Sequence, residues 1–381
     1  MTESEKFRDL SLTERQDKLR GMFDITENDV RSLTSGGLDL KTADKLIENS
    51  IGVYDLPLGI ATNFRINGKD YLIPMVTEEP SVVAGASKAA KIFKEFGGIT
   101  AFSDEPIALG QIQLILRKDQ KVSQVVNIIE KHKEEIVENI DRTVPGLVNR
   151  GGGTKSIESR IIKKHDGTSQ VILHINIDTK DAMGANITNS VCENIAPLIG
   201  KLTKTKIGLR IVSNLADKRL ASAKVSISLP REIAKGIINA QVFAEGDIYR
   251  AATHNKGVFN GIDAVALATG NDFRAIEAGG HAYAARSGKY LPLTTWNFQN
   301  NKLNGKIELP IQVGTRGGLT ELHPLTKLSL KILGVNSSKE LARVMAAVGL
   351  AQNFAALYAL VTTGIQKGHM ELHGRRRLLA R

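Results

Sequence analysis

The stretch from Gly110 to Leu229 limits what this chain can fold into more than any other part of it. It reads strand, helix, strand, strand, helix, strand: GQIQLILR, VSQVVNIIEKHKEEIVENI, SIESRIIKK, SQVILHINI, the segment Ala182 to Leu202, and IGLRIVSN with VSISL. Period-2 runs alternating with period-3.6 runs in this order predict a split β-α-β unit inserted into a larger fold. The Arg150-Gly-Gly-Gly-Thr154 stretch is expected to be its flexible internal joint. Before the insertion, Leu10, Leu12 and Leu19 fall near helical spacings, and Thr26-Glu-Asn-Asp29 reads as a second helix start. From Gly52 the texture turns to short strands, with a hairpin turn at Asn67-Gly68. Ser81 to Phe96 follows as a buried helix, preceded by the polar turn Thr77 to Pro80, a candidate active edge. After the insertion, helical texture returns over Arg231 to Ala282, and Leu341 to Thr362 reads as one long apolar helix.

Composition narrows the function. With 42% hydrophobic residues in 381, the chain buries a substantial core. No apolar run approaches the roughly 18 to 20 residues of a membrane helix, and the start is too charged for a secretory signal, so a cytoplasmic protein without membrane attachment is expected. The single cysteine, Cys192, excludes an intrachain disulfide and reads as a small buried residue. Lys and Arg exceed Asp and Glu by 51 − 40 = 11, which favours anionic ligands. Those charges are spread out and aromatics are only 5%, so a phosphate-bearing cofactor fits better than nucleic acid, which is not expected as a partner. Neither G-x-G-x-x-G nor G-x-x-x-x-G-K-[ST] occurs, so a nicotinamide cofactor would bind without the usual fingerprint. His369 and His373 stand one helical turn apart as half a zinc site, but no third ligand is evident and no metal is expected.

Several motifs carry a family resemblance. Arg250 to Ala284, RAATHNKGVFNGIDAVALATGNDFRAIEAGGHAYA, resembles the signature region of HMG-CoA reductases in their class II form. Glu48-Asn-Ser-Ile-Gly52 looks like the family's ENxIG segment, PMVTEEPS (Pro74 to Ser81) like its glutamate turn, and Asp181 to Asn186 like its DAMGxN motif. With EPIALGQIQL and a late GHMELH, the matches run from Arg8 to His373. The resemblance implies an α+β fold: a large helical and α+β domain with an inserted ferredoxin-like small cofactor-binding domain and a short C-terminal flap. The expected divisions are 1–110 and 218–365 for the large domain, 111–217 for the small NAD(P)-binding domain and 366–381 for the flap. Family members continue well past the flap histidine, whereas twelve residues follow His369 here, so the flap is expected to be truncated.

The activity implied is reduction of (S)-3-hydroxy-3-methylglutaryl-CoA to mevalonate and coenzyme A with two NAD(P)H, through mevaldyl-CoA and mevaldehyde, in the mevalonate pathway of isoprenoid biosynthesis. Such a reaction passes through an oxyanion at each hydride transfer and expels a thiolate between them. It needs a cation, a proton donor active near neutrality and an acid for the sulfur. By the motif matches, Lys256, read as part of a His-Asn-Lys-Gly turn, is the cation; Glu79 is the proton donor, with Glu78 its neighbouring competitor. Asp272 would sit between them and tune both, although Asn-Asp after Gly270 is also an ordinary helix N-cap. His369 would protonate the departing thiolate, with His373 the alternative. Arg250 matches the arginine that grips the substrate carboxylate, Ser81, Asn260 and Gln352 match further substrate contacts, and Arg8 would reach the coenzyme A phosphates.

For the cofactor, the resemblance implies contacts from Asp181, Met183, Gly184 and Asn186, with Asn214 on the nicotinamide side. DAMGAN is expected to open a helix whose N-terminal amides take a pyrophosphate. Ahead of Gly151 to Gly153 stand Val144 and Pro145, with Arg142, Arg150 and Lys155 nearby, where an NADH-selective site needs an acid. NADPH is therefore favoured over NADH. The family further implies a homodimer or higher homo-oligomer with the site at the subunit interface. Two other readings stay open: the degradative direction, oxidising mevalonate with coenzyme A, and a basic nucleic-acid-binding or regulatory protein on the same fold. Intact Glu79, Lys256 and Asp272 argue against the last.

Overall fold

A computed structural model describes residues 7–163, 169–362 and 364. The chain opens with three short helices, α1 (Leu12–Met22), α2 (Glu27–Thr34) and α3 (Leu40–Leu46), then a hairpin of β1 (Leu58–Ile66) and β2 (Lys69–Val76), helix α4 (Val82–Glu95) and strand β3 (Thr100–Ser103). Next come β4 (Ile107–Ile115), α5 (Val122–Lys131), α6 (Lys133–Thr143), α7 (Pro145–Val148), β5 (Gly153–Lys163), β6 (Ser169–Asp178), α8 (Ala185–Thr203) and β7 (Lys206–Ser213). The remainder is β8 (Leu220–Ile227), α9 (Arg231–Gly246), α10 (Ile248–Ala268), α11 (Phe273–Ala284), β9 (Thr294–Gln299), β10 (Lys302–Pro310), α12 (Leu319–Leu322), α13 (Pro324–Leu333) and α14 (Ser338–Val361). The expected flap, 366–381 with His369 and His373, lies outside the described residues.

Local chemistry sets many of these boundaries. Thr26 and Asp29 exchange side-chain and backbone bonds in a capping box that starts α2. Asn67 and Gly68 both take positive φ, 49° and 82°, the geometry a two-residue hairpin needs. The strands form a hairpin and two four-stranded sheets, ordered β5-β6-β4-β7 and β3-β8-β10-β9. In the first, every pairing is antiparallel, and Ile112, Leu173 and Ile175 pack against Ile136, Ile140, Val191 and Ile195 of the helices. This is the split β-α-β unit. Gly110 of β4 is where α8 comes closest: a Cβ there would stand 2.5 Å from the Cys192 sulfur. Burial pushes the Cys192 thiol up to about 12, so it is an inert packing group.

Four expectations are corrected by the coordinates. VSISL belongs to β8, which pairs with β3 and β10 in the other sheet and not with the split unit. The helix expected over Val122 to Ile140 breaks at His132, whose backbone leaves the helical region and whose ring takes Glu135 at 2.8 Å. The Gly151-Gly152-Gly153 joint is a tight packed turn: Gly151 and Gly152 donate to Val148 and Leu147, and a Cβ on Gly152 would meet the Asp178 carbonyl at 2.6 Å. Finally, α14 is long and apolar enough to cross a membrane, but it is mostly buried inside the protein, as the core helix of a water-exposed fold would be.

Around α14 lies the main core. Phe93 of α4, Phe259 and Ile262 of α10, and Ile307 and Leu309 of β10 join Met345, Leu350 and Phe354 of α14 in one cluster. A second, at Leu19, Ile25, Leu328 and Ile332, fastens the N-terminal helices to α13. At the edge of the core stands a carboxyl pair: Asp263 of α10 lies beside Glu277 of α11, both half-buried, and burial with the Glu277 charge pushes Asp263 up to about 8. Because its folded pKa is raised, Asp263 keeps its proton in the native state while the unfolded chain loses it near the ordinary value of 3.8. Stability from this group is therefore full below that value and declines as pH rises through about 8. An asparagine at 263 donates to Glu277 with no proton to lose. The melting temperature of Asp263→Asn relative to wild type should rise steadily from about pH 5 to about pH 9; a pH-independent difference would remove Asp263 from this account.

Candidate active site

Helix α10 is the backbone of the site. It carries Arg250 in its first turn, Lys256 two turns in and Asn260 one turn further, so the His-Asn-Lys-Gly stretch lies within a helix and not in the expected turn. The helix continues through because Asn255 turns its side chain away, donating to Leu291 O at 3.0 Å and accepting from Leu293 N at 2.8 Å. The glycines allow neighbouring helices in. A Cβ on Gly261 would stand 2.9 Å from the Gln352 Cβ, and one on Gly85 of α4 would stand 3.5 Å from the Gln352 Nε2. Gln352 of α14 is thereby wedged between α4 and α10, nearly buried, with an Oε1 that has no hydrogen-bond partner among the described residues.

Opposite Lys256 stands the turn after β2. Lys256 Nζ donates to Glu79 Oε2 at 2.7 Å, so of the two adjacent glutamates it is Glu79 that the fold places on the lysine. Glu79 N–H in turn donates to Thr77 Oγ1 at 3.2 Å. The lysine side chain is 58% exposed and that of Glu79 36%. Ion pairs this open contribute about 0–1 kcal/mol to stability, so the pair is not what holds the elements together. Ser81, which begins α4, has a φ of 79° and gives its helix no side-chain cap. A left-handed non-glycine residue stores strain, and here that strain aims the turn at α10. Arg250 is half-buried, and burial lowers its pKa from the usual arginine value.

Asp272 heads α11, where its carboxylate accepts from Ala275 N at 3.2 Å and pairs with Arg274 at 3.3 Å. The N-cap geometry is thus present, and no hydrogen bond joins Asp272 to Lys256 or Glu79 among the described residues. Arg8 is exposed in a short 3-10 turn and pairs with Asp9 at 3.2 Å, apart from the others.

The second half of the site is the loop between β6 and α8. Asp181 accepts the Ser338 N–H of α14 on Oδ1 at 2.9 Å, and the Met183 carbonyl accepts from Arg219 at 3.2 Å and Gln312 at 3.1 Å. Gly184 holds a φ of 103° at the start of α8, a helix without a side-chain cap, and Asn186 is exposed in its first turn. First-turn amides free of a side-chain acceptor are a ready anion site, so these residues fit a pyrophosphate. Asn214 is exposed at the end of β7. Near the glycine turn, Arg142 pairs with Glu138, Lys155 with Asp178, and the Asp141 carboxylate accepts the Thr154 N–H at 2.9 Å. Sequence reasoning missed Arg219, Gln312 and Asn271; Asn271 accepts Gly314 N–H at 2.7 Å and donates to Gly314 O at 3.1 Å. In the sequence Arg219 is one more charge in an Asp-Lys-Arg run, and nothing there signals burial.

Residues 11–374 match the profile of a family described as Hydroxymethylglutaryl-coenzyme A reductase. A 3-hydroxy-3-methylglutaryl-coenzyme A reductase of Archaeoglobus fulgidus is 52% identical over 97% of this chain and 85% of its own length. A probable 3-hydroxy-3-methylglutaryl-coenzyme A reductase of Borreliella burgdorferi is 37% identical over the same shares. Among solved structures, the class II 3-hydroxy-3-methylglutaryl-CoA reductase of Streptococcus pneumoniae, bound to NADPH in open conformations, superposes with a TM-score of 0.89 at 40% identity, covering 93% of this chain and 99% of that one.

Gly184 offers a direct test of the loop geometry. A Cβ there would stand 2.6 Å from the Thr179 methyl on a backbone that side chains rarely adopt. Gly184→Ala should cost about 1–3 kcal/mol in denaturant unfolding, and a loss below about 0.5 kcal/mol would mean that the loop relaxes freely.

Proposed function

This chain belongs to the hydroxymethylglutaryl-coenzyme A reductase family, and from that membership we propose that it reduces HMG-CoA to mevalonate and coenzyme A in the mevalonate pathway with NADPH as reductant. The observation that carries the reading is the Lys256–Glu79 pair at 2.7 Å: a cation and a carboxyl group share one point on the protein, open to a ligand from outside.

Each residue has a task that follows from its position. The Lys256 ammonium stabilises the carbonyl oxygen as negative charge grows on it, and Glu79, which accepts from that ammonium in the free protein, is assigned by its motif to give, from its protonated form, the proton that turns the oxyanion into a hydroxyl. Arg250, six residues earlier on α10, grips the free carboxylate of the substrate, with Ser81, Asn260 and the unpartnered Gln352 oxygen orienting the rest. Asp272 is assigned the tuning of Lys256 and Glu79 by its motif, and its cap bond fixes its backbone at the head of α11. The thiolate is protonated by His369, and Arg8 meets the coenzyme A phosphates; both assignments rest on their motif matches. Bound along Asp181 to Asn186 and Asn214, the dinucleotide supplies the hydrides. The same groups serve mevalonate oxidation, since both directions share a transition state.

The active assembly is proposed to be a soluble, cytoplasmic homodimer. Its support is the apolar corner between α9 and α10, where Val242, Phe243, Ile248 and Tyr249 are exposed beside Arg250, Tyr249 to 84%. Large apolar side chains clustered on a surface mark an association site, and this one borders the substrate residues.

Lys256→Ala removes the cation at the developing oxyanion and should lower kcat by at least about 100-fold, with a far smaller change in the KM for HMG-CoA. A folded variant that loses less than about tenfold means that another group stabilises the oxygen. For the cofactor, kcat/KM should be at least about tenfold higher with NADPH than with NADH, because Val144 and Pro145 stand ahead of the glycine turn where an NADH-selective site needs an acid. Higher efficiency with NADH would overturn that assignment.

A further inference from the structure

Arg219 is fully buried, yet no carboxylate lies within ion-pair distance of it among the described residues. Its guanidinium donates to the carbonyls of Met183 and Val313 and to Thr179 Oγ1, at 3.2 Å for Met183 and 3.4 Å for Thr179. Burial lowers it to about 10, with Asp178 and Asp181 opposing the shift, so it stays cationic at neutral pH. A buried charge held by neutral carbonyls is a poor way to gain stability, since its desolvation offsets most of what the bonds return. What it does gain is geometry, because a planar fork fixes several acceptors at once.

Those acceptors lie on both sides of a junction. Thr179 and Met183 flank the loop proposed to hold the dinucleotide, while Val313 belongs to the segment 312–316 that follows β10. That segment grips the same loop throughout. Gln312 donates to Met183 O at 3.1 Å, and the Thr315 and Arg316 amides donate to Asp181 O at 2.8 and 3.2 Å. Gly314 lies so close that a Cβ on it would stand 2.5 Å from Met183 N. From its other side, Gly314 is held through both backbone groups by Asn271, the residue before Asp272. Hydrogen bonds from Gln312 and Arg219, the backbone from Gln312 to Gly314, and the two Asn271 bonds thus link the Met183 carbonyl to the head of α11.

We propose that Arg219, Gln312 and Asn271 are positioning residues that lock the Asp181–Gly184 loop to the segment carrying Asp272, setting both the affinity for the dinucleotide and its placement against the reacting carbon. The inference rests on the assignment of that loop to the cofactor. The loop is entered through a strained residue, the non-glycine Lys180 at positive φ, which such a lock helps to hold.

The test is direct NADPH binding by fluorescence titration, alongside steady-state kinetics, for wild type, Arg219→Met, Arg219→Lys and Gln312→Met. Arg219→Met should raise both the Kd and the KM for NADPH at least about tenfold while the KM for HMG-CoA stays within about twofold; Gln312→Met should show a smaller rise in the same sense, and Arg219→Lys should recover part of the loss. If Arg219→Met does not fold, Gln312→Met alone decides. Equal increases for both substrates would make Arg219 a general structural residue and end the proposal. Wild-type-like NADPH binding in folded variants ends it as well, while leaving the enzyme's function intact. A wild-type chain that binds no NADPH would instead overturn the functional reading, and this inference with it.

Discussion

Everything at the substrate side of this protein depends on how closely α10 and α14 pack. The contact is reciprocal: Gly261 of α10 admits Gln352 and Val348, each 2.9 Å from its missing Cβ, and Gly349 of α14 admits Ile262 at 2.9 Å and Val258 at 3.2 Å. Two helices that exchange glycines in this way stand nearer than ordinary side chains permit, and a close-packed interior cannot absorb an added methyl group without moving. Arg250, Lys256 and Asn260 inherit their positions from α10, and Gln352 from α14. With α4 resting on α14 through Gly85, against Gln352 and Ala355, the turn bearing Glu79 and Ser81 is held near the lysine. The apolar core is thus also the alignment device.

The electrostatics divide along the same line. The pair that does the proposed chemistry, Lys256 with Glu79, is open and contributes little to folding. Away from that pair, Arg219 is buried and Asp263 and Glu277 are half-buried, on elements that carry the site. Asp263 lies on the helix of Lys256 and Glu277 on the helix headed by Asp272, so this pair stands between the two elements that carry those residues.

Much of this was legible in the sequence where the signal is local. The Thr26 cap, the Asn67-Gly68 hairpin, the buried α4 and the strand and helix order of the inserted unit each follow from a few neighbouring residues, and each is present. The site motifs named Lys256 and Glu79, the following Pro80-Ser81 favouring Glu79 over Glu78, and in the fold Glu79 accepts a hydrogen bond from the lysine. What could not be read was set by distant partners. Gly151 to Gly153 looked like a loose joint because glycine marks both flexibility and close approach, and the Asp178 carbonyl that decides between them comes from β6. VSISL has the texture of any strand, and its sheet is chosen by β3 and β10. The His132 break has no glycine or proline to announce it.

Arg219 shows most plainly why a functional reading needs the fold. On sequence, an Asp-Lys-Arg run is a solvated turn, and for Lys218 that is correct: it reaches Glu158 on the surface of the small sheet. Its neighbour lies in the turn where the chain crosses from β7 in one sheet to β8 in the other, and its guanidinium reaches Thr179, Met183 and Val313 at the junction. The same crossing brings the loop after β6 against the segment after β10. The loop proposed to hold the dinucleotide follows a strand of one sheet and the helix headed by Asp272 packs on the other, and the two sheets have separate apolar cores. The polar junction between them is therefore the place where an alignment residue has to lie, and a guanidinium, with donors in a fixed plane, meets carbonyls from both sides where an apolar side chain would leave them unpaired.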